Sequence, residues 1–167
     1  IDAVSAFPSH LEYEISLLGA TDNTEVEFTE METGSSVYEE SSPYQRIKKT
    51  CKLKRLDTLL ESQTKFKNAQ FLKLDTQGYE LQVLKGAEGL LDSVEVILLE
   101  ASLIPINQSA PLISEVVNYL SAREFKLFDF CSQIRRNDGV LWQTDLMFIR
   151  DGAIPNLKAE LTRENWG

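Results

Sequence analysis

The sequence predicts an α/β domain built on a mostly parallel sheet covered by helices, with an antiparallel last strand. Three observations lead there. Apolar strands and amphipathic helices alternate through the middle of the chain in the order strand, helix, strand, helix, strand. One of those strands, VEVILLE at 94–100, is almost wholly apolar, as expected for a strand covered on both faces. The last two strands have no helix between them, so the final one reads as antiparallel to its neighbour. The chain has 167 residues, of which 43% are hydrophobic, enough for one domain with a real core and too apolar for a disordered chain.

The elements follow in order. Leu11, Tyr13, Ile15 and Leu17 recur at period two over 11–18, a strand signal that outweighs the capping-box spacing of Ser9 and Glu12. GATDNTE breaks the pattern. EVEFTEM at 25–31 then alternates again through Val26, Phe28 and Met31, and the two strands read as a hairpin. Residues 32–50 are polar and carry Gly34, Ser35, Ser36 and Pro43, a loop with room for function. Cys51, Leu53 and Leu56 resume alternation, and Asp57 or Thr58 is placed to cap a short helix through Leu60. FLKLD at 71–75 is a strand. From Tyr79 to Leu91 a helix gathers Val83, Leu84, Ala87, Leu90 and Leu91 on one stripe. A second helix from 111 to 123 carries Ile113, Val116, Val117 and Leu120 on one face, with Pro111 in its first turn. FKLFDF at 125–130 and LWQTDLMFI at 141–149 close the sheet around the turn IRRNDG. Residues 1–150 form the domain, and 151–167 are a tail of little periodicity.

Charge and composition exclude several classes. Lys+Arg is 17 and Asp+Glu is 26, a net charge of −9, so phosphate backbones repel the chain and nucleic acid is not an expected partner. No apolar run is long enough to span a bilayer, and no signal-peptide pattern is seen, so a cytoplasmic protein without membrane contact is expected. Cys51 and Cys131 make no disulfide scaffold and read as buried thiols. His10 is the only histidine, too few nitrogen ligands for a metal site. Arg135 and Arg136 read as a solvated turn, or else as a contact for an acceptor phosphate or carboxylate. Trp142 is expected in the core, and Trp166 has no assigned role. An unpaired edge strand would permit a homodimer.

In open α/β sheets, ligands bind at the carboxyl edge of the strands. Asp75 closes the first buried strand, Gly78 follows in a tight turn, Glu80 enters the next helix, and Glu100 closes the second buried strand. Three carboxylates therefore project toward one rim. The bland alternatives are a turn-capping acid for Asp75 and a helix-dipole partner for Glu80.

At these residues the chain resembles a known family. FLKLDTQGYELQVLKGAEGLL, 71–91, is similar to the signature of the FkbM family of S-adenosylmethionine-dependent methyltransferases, through Lys73, Asp75, Gln77, Gly78, Glu80, Leu84, Lys85, Gly86 and Ala87. LLGATDNTEVEF, GSSVYEE, LDTLL, VILLEAS and QTDLMFIR resemble flanking pieces in family order, so the likeness spans about residues 11–150. The resemblance implies a Rossmann-like class I methyltransferase sheet. It also implies methyl transfer from S-adenosylmethionine to a hydroxyl of a small molecule or carbohydrate acceptor. On this basis Asp75 contacts the donor methyl or the acceptor hydroxyl, Glu80 is a general base or acceptor ligand, and Glu100 binds acceptor hydroxyls. Asp22 would read the adenine amino group and Asp2 would hold the ribose. Ser35, Ser36 and Tyr38, with Gly34, would form a lid or acceptor loop, joined at the acceptor by Gln77 and Gly78. Asp145, in a strand, would support the site from behind. The family's first strand carries a glycine-rich turn, and no Gly-x-Gly occurs in these residues. The N-terminal strand and helix of such a sheet are therefore expected to be missing from this chain, as in a truncated piece. The alternative is a non-catalytic binding or interaction module without the donor site. A binder of some other nucleotide fits less well, because acids at strand ends repel phosphate.

Overall fold

The computed structural model describes residues 14–30, 35–39, 46–62 and 66–153. Asp2, His10, Gly34 and Trp166, and residues 11–13 of the first expected strand, lie outside the described residues.

A small sheet forms around β3 (Ile47–Lys54). Along one side lies β2 (Glu25–Glu30), antiparallel, with Glu25 opposite Lys52 and Glu30 opposite Ile47. On the other side β1 (Leu17–Leu18) runs parallel, with Leu17 opposite Leu53. The expected hairpin between the first two strands is therefore not made, since β3 separates them. Charge explains the pairing. Lysines of β3 meet glutamates of β2, with Lys49 on Glu30 at 2.5 Å and Lys48 on Glu27 at 3.2 Å. Such exposed, solvent-screened pairs contribute little stability, so they select the partner more than they stabilise it. The N-terminal half of β3, IKKT, has no apolar alternation, and for that reason it reads as loop in the sequence.

The main sheet has the order β4 (Phe71–Leu74), β5 (Val96–Ser102), β8 (Leu141–Arg150), β6 (Phe125–Phe130), with the short β7 (Ile134–Arg135) also on β8. β4 and β5 are parallel, whereas β8 is antiparallel to both β5 and β6. The architecture is mixed α/β. Because β8 inserts between β5 and β6, parallel pairing between strands among the described residues is limited to β4–β5 and β1–β3, and the sheets are mixed rather than mostly parallel.

The expected helix over 79–91 is two pieces, α2 (Glu80–Lys85) and α3 (Glu88–Leu91). The break comes from tertiary contact. Gly86 lies so close to the small sheet that a Cβ there would run into the Gly19 carbonyl oxygen. Past the break, Asp57 accepts the N–H groups of Gly89 and Leu90, each at 3.0 Å, and so caps α3. It does not cap its own helix, α1 (Leu56–Glu61), which starts after Arg55. That start is held by Asp22, which accepts the Arg55 N–H at 2.9 Å and the Thr58 hydroxyl at 2.8 Å. α4 (Ile113–Ser121) turns Val116 and Leu120 inward. Val83, Leu84, Val94, Ile97, Leu99 and Phe148 are fully enclosed in the core between helices and sheet.

Two smaller expectations change. Cys131 is exposed because it lies just past the end of β6, and Cys51 is half-buried in β3, two residues before the buried Leu53. Trp142 is half-buried at the start of β8 and lies outside the core. Arg135 donates to the Gly139 carbonyl and to Gln133 Oε1, while Arg136 pairs with Asp138, the internal bonding of a solvated turn. Among the described residues no helix is long and apolar enough to cross a membrane.

The approach of Gly86 to Gly19 makes a stability prediction. Gly86→Ala should lower stability by about 1–3 kcal/mol, the usual cost of overpacking, read as a lower midpoint in thermal or urea unfolding. An unchanged midpoint would show that the two segments do not meet.

Candidate functional site

The site is built on the turn that follows β4. Gln77 and Gly78 take φ values of 52° and 93° there, so the chain reverses sharply through the left-handed region. Glycine suits position 78 on both counts, since a Cβ would also lie 2.9 Å from Ala110 Cβ. Glu80 closes the turn from inside. It is 2% exposed, and its Oε1 accepts the N–H groups of Thr76 at 2.8 Å and Gly78 at 3.2 Å. Burial raises the pKa of this carboxyl, and the backbone N–H bonds work against that rise.

The turn exposes the Gln77 carbonyl, and two segments converge on it. Ser36 Oγ donates to it at 2.8 Å and Asn107 Nδ2 at 2.7 Å. Residues 35–39 are thereby drawn over the strand end. The Ser36 hydroxyl also accepts the Tyr38 N–H at 3.1 Å, the Tyr38 ring meets Tyr79 edge-on at 5.0 Å, and the Gln108 N–H reaches the Glu39 carbonyl at 2.7 Å. A cleft of about 220 Å³ opens between this layer and β1, with Leu17, Leu18, Ser35, Ser36, Asp75 and Tyr79 in its walls.

Strand register brings the acids together. Leu74 pairs with Leu99, and Glu100 pairs with Asp145. Continued by one residue, the first pairing sets Asp75, Glu100 and Asp145 side by side across β4, β5 and β8. Asp75 is half exposed; it accepts from Lys73 Nζ at 3.2 Å and Gln77 Nε2 at 2.9 Å. Glu100 Oε1 accepts from Gln143 Nε2 at 2.8 Å, and Asp145 Oδ2 from Ser132 Oγ at 2.6 Å. Burial, reinforced by the charges of Asp75, Glu80 and Asp145, pushes the Glu100 carboxyl up to about 7, with Lys73 opposing. A carboxyl poised there holds and releases a proton near neutrality, as a general base must.

Of the residues singled out in the sequence, Asp75, Glu80, Glu100, Ser35, Ser36, Tyr38, Gln77 and Gly78 meet at this rim. Asp22 is engaged elsewhere: the Arg55 N–H and the Thr58 hydroxyl hold its carboxyl below the usual range. Asn107 and Gln143 went unrecognised as site residues. Asn107 lies in an irregular segment without periodicity, and Gln143 matters only through a register that the sequence does not display. Among the described residues no group of three or more His, Cys, Asp or Glu side chains is arranged to hold a metal ion.

Fold and rim define a mixed α/β protein with an acidic edge at the ends of β4 and β5. Comparison supplies the family. A model described as the methyltransferase FkbM domain matches residues 9–127, most of the chain, and the protein belongs to that family of methyltransferases. No curated protein and no solved structure matches it. The matched range contains the β4–α2 turn, Asp75 and Glu100, and it stops before β8.

The raised Glu100 carboxyl has a consequence for stability. Its folded pKa of about 7 exceeds the ordinary 4.5, so the folded state holds the proton more tightly. The resulting stabilisation is full below the ordinary value and is lost as pH rises through the folded value. Glu100→Gln should therefore flatten the fall in melting temperature between about pH 5 and about pH 8, and should gain on the parent protein at the upper end. Parallel pH curves for the two proteins would refute the assignment.

Proposed function

We propose that the protein is an S-adenosylmethionine-dependent O-methyltransferase of Rossmann-like class I type, acting on a hydroxyl of a small molecule or sugar. One observation carries this reading: within the matched family range, the ends of β4 and β5 hold an open carboxylate, Asp75, beside one that titrates near neutrality, Glu100. When bound, the donor supplies an electrophilic methyl group on a positively charged sulfur. The rim fits that chemistry, because Asp75 lies in the cleft wall and is solvent-accessible, so its charge is available to offset a cation. The cleft of about 220 Å³ is smaller than the usual small-molecule site of about 300–1,000 Å³ and takes one end of such a ligand.

Roles follow from geometry. Asp75 offsets the donor charge and orients the acceptor. Glu100 takes the proton that the acceptor hydroxyl gives up as its oxygen is alkylated. Glu80 serves the turn, since it is buried and committed to two N–H groups; the base is therefore Glu100 rather than Glu80. Ser36 and Asn107 hold the turn that presents Asp75. Most of the rate enhancement in such a displacement comes from alignment, which a rigid strand-end turn provides.

Calorimetry with the full chain tests the reading. S-adenosylhomocysteine should bind, and no heat up to about millimolar ligand would leave only a non-catalytic module; affinities weaker than that fall outside the usual range for enzyme ligands. Asp75→Asn should weaken S-adenosylmethionine by roughly fivefold, about 1 kcal/mol for a partly exposed charge pair, and weaken uncharged S-adenosylhomocysteine much less. Equal losses for both ligands would refute the charge role.

A further inference from the structure

β8 reaches the rim from the opposite direction and brings two side chains to Glu100. The first is Gln143, whose amide donates to Glu100 Oε1 at 2.8 Å. Among the described residues no other hydrogen bond reaches that carboxyl, which leaves Oε2 free to carry a proton. The second is Asp145, directly opposite Glu100 in the β5–β8 register. Its carboxylate is not free to swing away. Ser132 Oγ donates to Oδ2 at 2.6 Å and accepts the Asp145 N–H at 3.3 Å, and the Thr144 hydroxyl donates to the Ser132 carbonyl at 2.5 Å.

Like charges directly opposite on neighbouring strands are destabilising, so the pairing of Glu100 with Asp145 carries a cost that a polar or apolar residue would avoid. The groups that act on Glu100 come from every side: Asp75 beyond β4, Lys73 on β4, Glu80 on α2 and Asp145 on β8. α4, also against β5, turns inward the apolar Val116 and Leu120. Only Lys73 among those charges is a cation. Gln143 is the uncharged donor in the set, and it comes from the same strand as the acid that opposes ionisation.

We propose that Gln143 and Asp145 are positioning residues for Glu100. The amide fixes one carboxyl oxygen and favours the ionised form, while the facing carboxylate favours the protonated form. The proposal rests on reading Glu100 as the base, and it adds the pair that sets when that base is ready. It also assigns a role to a strand outside the matched family range.

Opposite effects from neighbouring positions are its signature. A merely structural role for either residue would not move the titration of Glu100 in a chosen direction. The test is a carboxyl carbon NMR titration of the full chain labelled at glutamate, with the Glu100 signal identified by its loss in Glu100→Gln. Gln143→Met, close in shape but without the donor, should raise the midpoint. Asp145→Asn should lower it, each by roughly half a unit to one unit. Shifts of the same sign, or midpoints that stay in place in folded variants, overturn the proposal. Should Gln143→Met fail to fold, Asp145→Asn decides alone. The titration needs no methyl donor, so the two failures are distinguishable: a negative calorimetry result would sink the methyltransferase reading without touching the control of Glu100 by Gln143 and Asp145, and unmoved midpoints would sink that control without touching donor binding.

Discussion

The rim depends on one buried carboxylate. Glu80 gathers the N–H groups of Thr76 and Gly78 on a single oxygen, and this holds Gln77 and Gly78 in the left-handed conformation. Because the turn folds inward on Glu80, its outer carbonyl at Gln77 is left for Ser36 and Asn107. The segments 35–39 and 107–110 are thus anchored through a carbonyl presented by the turn that closes on Glu80. Hydrogen bonds to a charged acceptor contribute about 1.5–3 kcal/mol each, and burying a carboxylate costs several kcal/mol, so the arrangement adds little net stability. What it secures is a single shape for the strand end.

Much of the framework was legible in the sequence, for a definite reason. The strands at 71–75, 94–100, 125–130 and 141–149 and the helix near 111–123 each bury a face, and burial writes itself as apolar periodicity. The small sheet was not legible in the same way. IKKT of β3 buries almost nothing, and its lysines find the glutamates of β2 by charge, which periodicity does not record. The helix over 79–91 breaks at Gly86 because Gly19, distant in sequence, takes the space a side chain would need. Asp57 was recognised as a cap but given the wrong helix, since the N–H groups it accepts belong to residues more than thirty positions away.

The site divides along the same line. Asp75 and Glu100 were found by the strand-end rule, which uses only order and polarity. Glu80 was found as an acid in a first helical turn, but its work depends on burial, and the sequence alone does not separate a buried turn-closing carboxylate from an exposed catalytic one. Gln143 and Asp145 reach Glu100 through the antiparallel register of β8, a quantity set by the whole sheet. The catalytic candidates are thus local features, and the residues that tune them are products of the fold.

Four carboxylates around one lysine make a local field that favours either a bound cation or a bound proton. Exposed acids relieve such a field by moving apart into solvent, as Asp75 does with Lys73 beside it. Glu100 is half-buried and tied to Gln143, and Asp145 is tied to Ser132, so this relief is closed to both. The remaining route is for Glu100 to keep its proton up to about neutral pH. A cation brought to Asp75 would weaken the reason for keeping it, because the field that Asp75 contributes at Glu100 would be offset at its source. Arrival of a positively charged ligand at the first carboxylate therefore releases the second to ionise. On the proposed reading, in which a sulfonium donor meets Asp75 and Glu100 is the base, donor binding would be coupled to the ionisation of Glu100 through two adjacent strand ends.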